Sequence, residues 1–174
     1  MRIALASRVA FHGWFVNKTA LVQKIIAQLA EELEGYARSA RSAHAEATDE
    51  QSKAENKYDT RGLEASYLAR GQSRQAAETR EAIEQFAALT PRDFGPEDPI
   101  DIGAVVELES KAGAVCYFIG PRAGGMEIRQ GKTEILVITP QSPLGQQLVG
   151  KRQGDQWESQ LAGKRSVCRI ARVS

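Results

Sequence analysis

KTALVQKIIAQLAEELEGYARSARSAHAEAT, residues 18–48, holds no proline and a single glycine, and its apolar or small residues fall at Val22, Ile26, Leu29, Leu33, Tyr36, Ala40, Ala43 and Ala47. The steps alternate four and three throughout. That 3.5-residue repeat keeps one stripe turned towards a partner helix, which is the pattern of a coiled-coil seam. A second segment, about residues 59–89, repeats the spacing with Gly62, Ala65, Ala69, Gln72, Ala76, Thr79, Ile83 and Phe86. A short polar link joins the two, so they are expected to fold back on each other as an antiparallel hairpin over residues 17–90. An arm of roughly 30 residues would be about 45 Å long at 1.5 Å per residue.

The seam changes size along its length. Bulky residues (Val22, Ile26, Leu29, Leu33 against Phe86 and Ile83) mark the open end, and Ala40, Ala43 and Ala47 against Ala69, Ala65 and Gly62 mark the end near the turn. Alanine also has the highest helix propensity, which would explain it at these positions without any function. Small seam residues bury little apolar surface, however, so a hairpin built this way narrows towards its turn and is weaker there. The shape expected is a slim finger suited to a confined space. On this reading Ala43→Leu or Ala65→Leu leaves the isolated fold intact, or improves it, while thickening the finger.

The turn itself, ATDEQSKAENKYDTR at residues 47–61, gathers Asp49, Glu50, Glu55 and Asp59. Asp and Glu favour helix N-termini, and Asp59 precedes the second helix, so a solvated turn accounts for them. A working tip over residues 48–59 that holds a metal ion or a cationic partner also accounts for them. Lys53, Lys57 and Arg61 interleave the acids and either neutralise them or touch phosphate or acidic groups. His44 has no ligand-spaced partner and reads as an exposed helical histidine.

Across the whole chain of 174 residues, 42% are hydrophobic, 26% charged and 6% aromatic, which fits a folded globular protein and excludes disordered and collagen-like classes. With 23 basic and 22 acidic side chains the net charge is +1, so binding to bare nucleic acid through a broad cationic face is not expected. Cys116 and Cys168 lie in apolar, strand-like contexts without metal-ligand spacing and are expected as buried thiols in a reducing compartment. No apolar run reaches the roughly 20 residues of a membrane span. The opening MRIALASRVAFHGWFV is a poor signal peptide, interrupted by Ser7, Arg8, His12 and Gly13. Residues 1–16 are expected to be a loosely held extension, with the functional chain beginning near Asn17.

TPRDFGPEDP, residues 90–99, carries three prolines and Gly95, and reads as a linker over 91–99. Beyond it the period changes to that of strands, expected at 104–109, 114–120, 126–130, 134–139, 156–161 and 165–173. A short helix interrupts them at SPLGQQLVG: Ser142 can cap, Pro143 suits the first turn, Leu144 and Leu148 share a face, and Gly150 can end it. Residues 100–174 thus predict a compact β-rich domain, and the chain as a whole is α+β.

SPLGQQLVGKRQGDQWE (142–158) followed by KRSVCRIARV, with IDIGAVVELE (100–109) and YFIGP (117–121), resembles the C-terminal part of the Gre-type transcription elongation factors. That resemblance implies a coiled-coil hairpin followed by an FKBP-like domain. It also implies a cytoplasmic partner of bacterial RNA polymerase that meets nascent RNA and template DNA only through the polymerase. A monomer is expected. In such factors the C-terminal domain docks and the hairpin enters the secondary channel. In the cleavage-stimulating members, two tip acids help the polymerase hold its second Mg²⁺ while it hydrolyses backtracked RNA. The factor has no cofactor of its own and is no enzyme by itself.

The family's tip reads Asp-x-x-Glu-Asn-x-x-Tyr. The local match is Ser52-x-x-Glu55-Asn56-Lys57-Tyr58, with Ser in place of Asp and Tyr one position closer. The resemblance therefore carries over Glu55 as the Mg²⁺-directed acid and Asn56 beside it, but not the second acid, which Asp49 or Asp59 supplies only if the turn is shaped differently; Lys57 and Arg61 are expected as binding residues from their place among the acids. On the docking domain Ser142, Lys151 and Arg152 are the expected contact residues, with Lys164 and Arg165 extending the basic edge. Losing one family acid opens a second reading, a non-cleaving regulator that occupies the channel. Two further classes are a prolyl isomerase, which would need an aromatic pocket built from Tyr117, Phe118 and Trp157, and a helical adaptor that needs no tip acids.

Overall fold

The computed structural model describes residues 16–48, 61–111, 113–161 and 164–174, except the side chains of 46–48, 61–63, 65, 159–161 and 164–166. Two long helices, α1 (Lys18–Thr48) and α2 (Arg61–Ala88), precede a six-stranded sheet. Its strands are β1 (Val105–Ser110), β2 (Gly113–Ile119), β3 (Glu127–Gln130), β4 (Thr133–Ile138), β5 (Gln156–Leu161) and β6 (Lys164–Val173), with the short helix α3 (Pro143–Leu148) between β4 and β5. The class is α+β, a helical hairpin followed by a mixed-sheet domain.

Helix α1 starts where Asn17 caps it, its side-chain oxygen accepting the Ala20 N–H at 2.9 Å. Along both helices the seam residues whose side chains are described are buried or half-buried. Val22, Leu29 and Ala43 are buried, with Ile26, Leu33, Tyr36 and Ala40 half-buried. Facing them, Thr79 and Phe86 are buried, and Ala69, Gln72, Ala76 and Ile83 are half-buried. Thr90 and Pro91 follow α2 and end it, because proline cannot extend a helix. Ala43 retains only 5% of its surface, so the helices close tightly there. The expectation that leucine at position 43 leaves the fold intact is revised on that ground, since the added carbons must force the helices apart.

Burial at the base exceeds what a two-helix seam requires. Leu21 and Ile25 are fully buried and Ala82 nearly so, although none belongs to the seam. The cause is the sheet: Leu21, Val22, Ile25, Leu29, Ala82 and Phe86 share one core with Val105, Phe118, Ile128, Ile135 and Val137. The hairpin is therefore seated on the sheet through its first turns, and only its distal part lies beyond this core.

The sheet order is β3-β4-β2-β1-β6-β5. β2 and β4 run parallel, and the other neighbours are antiparallel. Strand alternation sorts the side chains to two faces. Val105 pairs with Phe118, and Phe118 with Val137, on the hairpin side. Val106 pairs with Tyr117 and Leu108 with Ile170 on the other side. That second face holds its own core, in which Phe94, Ile100, Ile119, Ile138 and Leu148 join Val106, Leu108, Tyr117 and Ile170. Phe94 and Ile100 come from the proline-rich connection, so this segment is packed into the domain as well as joining it to the hairpin.

Candidate functional site

The expected tip residues Asp49, Glu55, Asn56, Lys57 and Asp59 lie outside the described residues, and Arg61 is described only as the first residue of α2. The two helices lead to that segment from Thr48 and from Arg61, at the end of the hairpin away from the sheet. Among the described residues no group of three or more His, Cys, Asp or Glu side chains is placed to hold a metal ion. Hard carboxylate oxygens of the kind Mg²⁺ prefers are supplied in sequence by the tip segment.

The Ser-Pro-Leu-Gly motif is explained by local geometry. The Ser142 Oγ accepts the Gly145 N–H at 3.0 Å and donates to the Thr139 carbonyl at 2.8 Å. Pro143 occupies the first turn, where a missing N–H has no cost. A Cβ at Gly145 would overlap the Thr139 carbonyl oxygen, and would lie 2.8 Å from the Thr139 carbonyl carbon and 2.9 Å from the Ser142 Oγ. The motif thus folds α3 back against the end of β4 and drives Leu148 into the core. Ser142 uses its one hydroxyl hydrogen inside the chain, so it shapes this surface by fixing α3.

Lys151 and Arg152 open the following turn. Ile100 N–H donates to the Lys151 carbonyl at 2.8 Å and Gly150 N–H to the Ile100 carbonyl at 2.9 Å, tying this turn to the entry of the domain. Lys151 Nζ lies 5.5 Å from the centre of the Trp157 ring, within cation–π range. The Trp157 indole N–H donates to Gln147 Oε1 at 2.7 Å. Arg152 Nε donates to the Glu97 carbonyl at 2.8 Å, and its backbone N–H donates to Asp155 Oδ2 at 2.9 Å. Val149 and Ile102 add exposed apolar surface on the two segments that these hydrogen bonds join. The result is an edge with two cations, an aromatic face and two exposed aliphatic side chains on a hydrogen-bonded frame. The side chains of Lys164 and Arg165 lie outside the description, and their backbones form the start of β6 opposite β5.

The aromatics proposed for an isomerase pocket do not converge. Phe118 faces the hairpin core, whereas Tyr117 and Trp157 belong to the opposite face of the sheet. Burial, and then the neighbouring Cys168 and Cys116 thiols, push the Tyr117 hydroxyl above its ordinary pKa. Cys168 is buried and Cys116 half-buried, and both remain thiols.

Sequence reasoning missed the junction of hairpin, connection and sheet. Lys18 is buried there, its Nζ donating to the Arg92 carbonyl at 2.6 Å and lying 4.8 Å from the centre of the Phe94 ring. The Arg92 guanidinium stacks on the same ring at 3.6 Å. Burial lowers the Lys18 pKa to about 8, with Asp93 opposing the shift and Arg92 adding to it. A lysine in the first turn of a helix ordinarily reads as solvated, so composition gave no signal. The clue available was Phe94, an aromatic within a polar, proline-rich segment.

Residues 95–174 match the family described as transcription elongation factor, GreA/GreB, C-term. No curated protein sequence matches the chain significantly. Among solved structures, the chain is similar to GreA factor homolog 1 (Gfh1) of Thermus thermophilus, with 19% identity over 88% of this chain and 94% of that one and a TM-score of 0.36. It is similar to Thermus aquaticus Gfh1, with 20% identity over 89% and 94% and a TM-score of 0.36. The GreA/GreB elongation factor of Nitrosomonas europaea shows 18% identity over 55% and 78%, with a TM-score of 0.35. The domain match carries the assignment. Residues 95–174 are a C-terminal domain of the GreA/GreB transcription elongation factor type.

Proposed function

We propose that this protein is an accessory factor of a bacterial-type RNA polymerase that docks through its C-terminal domain and inserts the hairpin into the secondary channel. The observation that supports this most is the combination of a Gre-type docking domain with an arm of about 45 Å seated on it. In the favoured reading Glu55, with Asp49 or Asp59, directs carboxylate oxygen to the polymerase's second Mg²⁺. That ion would supply charge stabilisation for hydrolysis of backtracked RNA. Asn56, Lys57 and Arg61 would bind beside it, and Lys151 and Arg152 would meet the channel rim. The protein would act in the cytoplasm with no cofactor of its own.

Ser52, where the family pattern has Asp, favours a second reading in which the hairpin occupies the channel without stimulating cleavage. Stalled elongation complexes separate the two. Faster release of short 3′ RNA fragments, lost in Glu55→Ala, is expected for the first, and slowed synthesis without fragments for the second. A protein that neither binds the polymerase nor changes its output removes both readings.

A further inference from the structure

We propose that Gly120 and Arg122, in the loop after β2, are positioning residues that set the angle of the hairpin over the sheet and thereby place the tip; this rests on the channel-insertion reading above. Gly120 is a socket. It does not adopt the left-handed conformation, so space alone requires glycine there: a Cβ would lie 2.9 Å from Val137 Cγ1, 3.0 Å from Phe86 Cζ and 3.1 Å from the Arg122 carbonyl oxygen. The Phe86 ring fills that space and is fully buried. Between one and two helical turns further up α2, Glu81 Oε1 accepts from Arg122 Nη2 at 2.6 Å, and Gln85 Nε2 donates to the same oxygen at 2.9 Å. One short loop therefore holds α2 at two points along its axis, which fixes a direction where a single contact would leave a pivot.

The other helix is held from the β3–β4 side. Lys24 Nζ donates to the Arg129 carbonyl at 2.8 Å, and Gln130 Nε2 donates to the Asn17 carbonyl at 2.9 Å. Exposed ion pairs such as Arg122–Glu81 add little to stability, so that pair is better explained by orientation than by strength. The lever is long. From Phe86 back to Arg61 the helix measures about 38 Å, so a tilt of about 10° at the base moves the far end by about 7 Å. That exceeds several times over the roughly 2.1 Å at which a carboxylate meets Mg²⁺.

The test uses the full chain and backbone residual dipolar couplings, read separately for the two helices and for the sheet. For the unaltered protein, one alignment tensor is expected to fit both parts. In Gly120→Ala each part should keep its internal couplings while the two tensors rotate apart by about 10° or more. Adding Phe86→Leu, which withdraws the ring end from the socket, should bring them back towards coincidence. An unchanged arm angle in Gly120→Ala, or two tensors already in the unaltered protein, overturns the proposal. Should Gly120→Ala fail to fold, Arg122→Ala on the exposed pair replaces it, and an unchanged angle there overturns it equally.

With polymerase, Gly120→Ala should still bind while its effect on stalled complexes falls about tenfold or more, since misplacement by about an ångström can cost more than that. An undiminished effect would refute the positioning role. Failure of the unaltered protein to bind polymerase would instead refute the functional reading, leaving the measured arm angle to stand by itself.

Discussion

Replacing Gly145 by alanine is the sharpest test of why the Ser-Pro-Leu-Gly motif has its sequence. The new Cβ would overlap the Thr139 carbonyl oxygen and lie 2.9 Å from the Ser142 Oγ. The first contact is with backbone at the end of β4, which cannot rotate aside as a long side chain could. Forcing one extra carbon into a filled site costs about 1–3 kcal/mol. Moving α3 to relieve the overlap also lengthens the 3.0 Å bond from the Gly145 N–H to Ser142, a cap contact of about 1 kcal/mol. The sum is about 2–4 kcal/mol, which for a chain of this size lowers the thermal midpoint by about 4–16 °C. Thermal melts followed by circular dichroism read this directly. Ser142→Ala, which removes the cap without adding volume, should lose only about 2–4 °C and so separates the two causes. A Gly145→Ala protein melting within about 1 °C of the original would show that the Thr139 carbonyl yields freely, and the steric account of the motif would be wrong.

Phe86→Ala removes a fully buried ring shared by hairpin and sheet. It should cost about 3–5 kcal/mol, seen as a lower denaturant midpoint for both helical and sheet signals. Lys18 makes stability depend on pH: the folded chain releases this proton near 8 and the unfolded chain near 10.5, so between those values the unfolded state binds more protons and stability climbs with pH. Urea midpoints should therefore rise across that window in the original protein, and Lys18→Met should flatten the rise. Ala43→Leu, at a seam position only 5% exposed, should destabilise the hairpin by about 1–3 kcal/mol, with the loss confined to the helical signal on thermal unfolding.

The hairpin was legible because a 3.5-residue repeat has one geometric meaning, and positions it selected, such as Leu29, Thr79 and Phe86, are buried. The strands were legible to within about a residue at most ends for a similar reason. Unbroken apolar runs such as Val105–Val106 and Tyr117–Phe118–Ile119 suit strands covered on both faces. What covered the second face was not legible. Leu21, Ile25 and Ala82 look like spare helical apolar residues until the sheet is beside them, because contacts between residues roughly a hundred positions apart leave no local period. Likewise the glycine of Tyr-Phe-Ile-Gly-Pro reads as a strand end, and only the Phe86 ring beside Gly120 shows what it accommodates. The basic edge at Lys151 and Arg152 was legible as charge, but its hydrogen bonds to Glu97, Ile100 and Asp155 were not.

In the proposed function the docked domain delivers the far end of the hairpin to the polymerase's catalytic centre. A photo-crosslinker placed at residue 56 in the full-length protein, bound to a stalled elongation complex, tests it most directly. Crosslinks to the nascent RNA 3′ end or to polymerase segments around the active-site Mg²⁺, abolished by Lys151→Glu with Arg152→Glu, are the predicted result. Crosslinks confined to the outer surface of the polymerase, or unaffected by those two charge reversals, would contradict it.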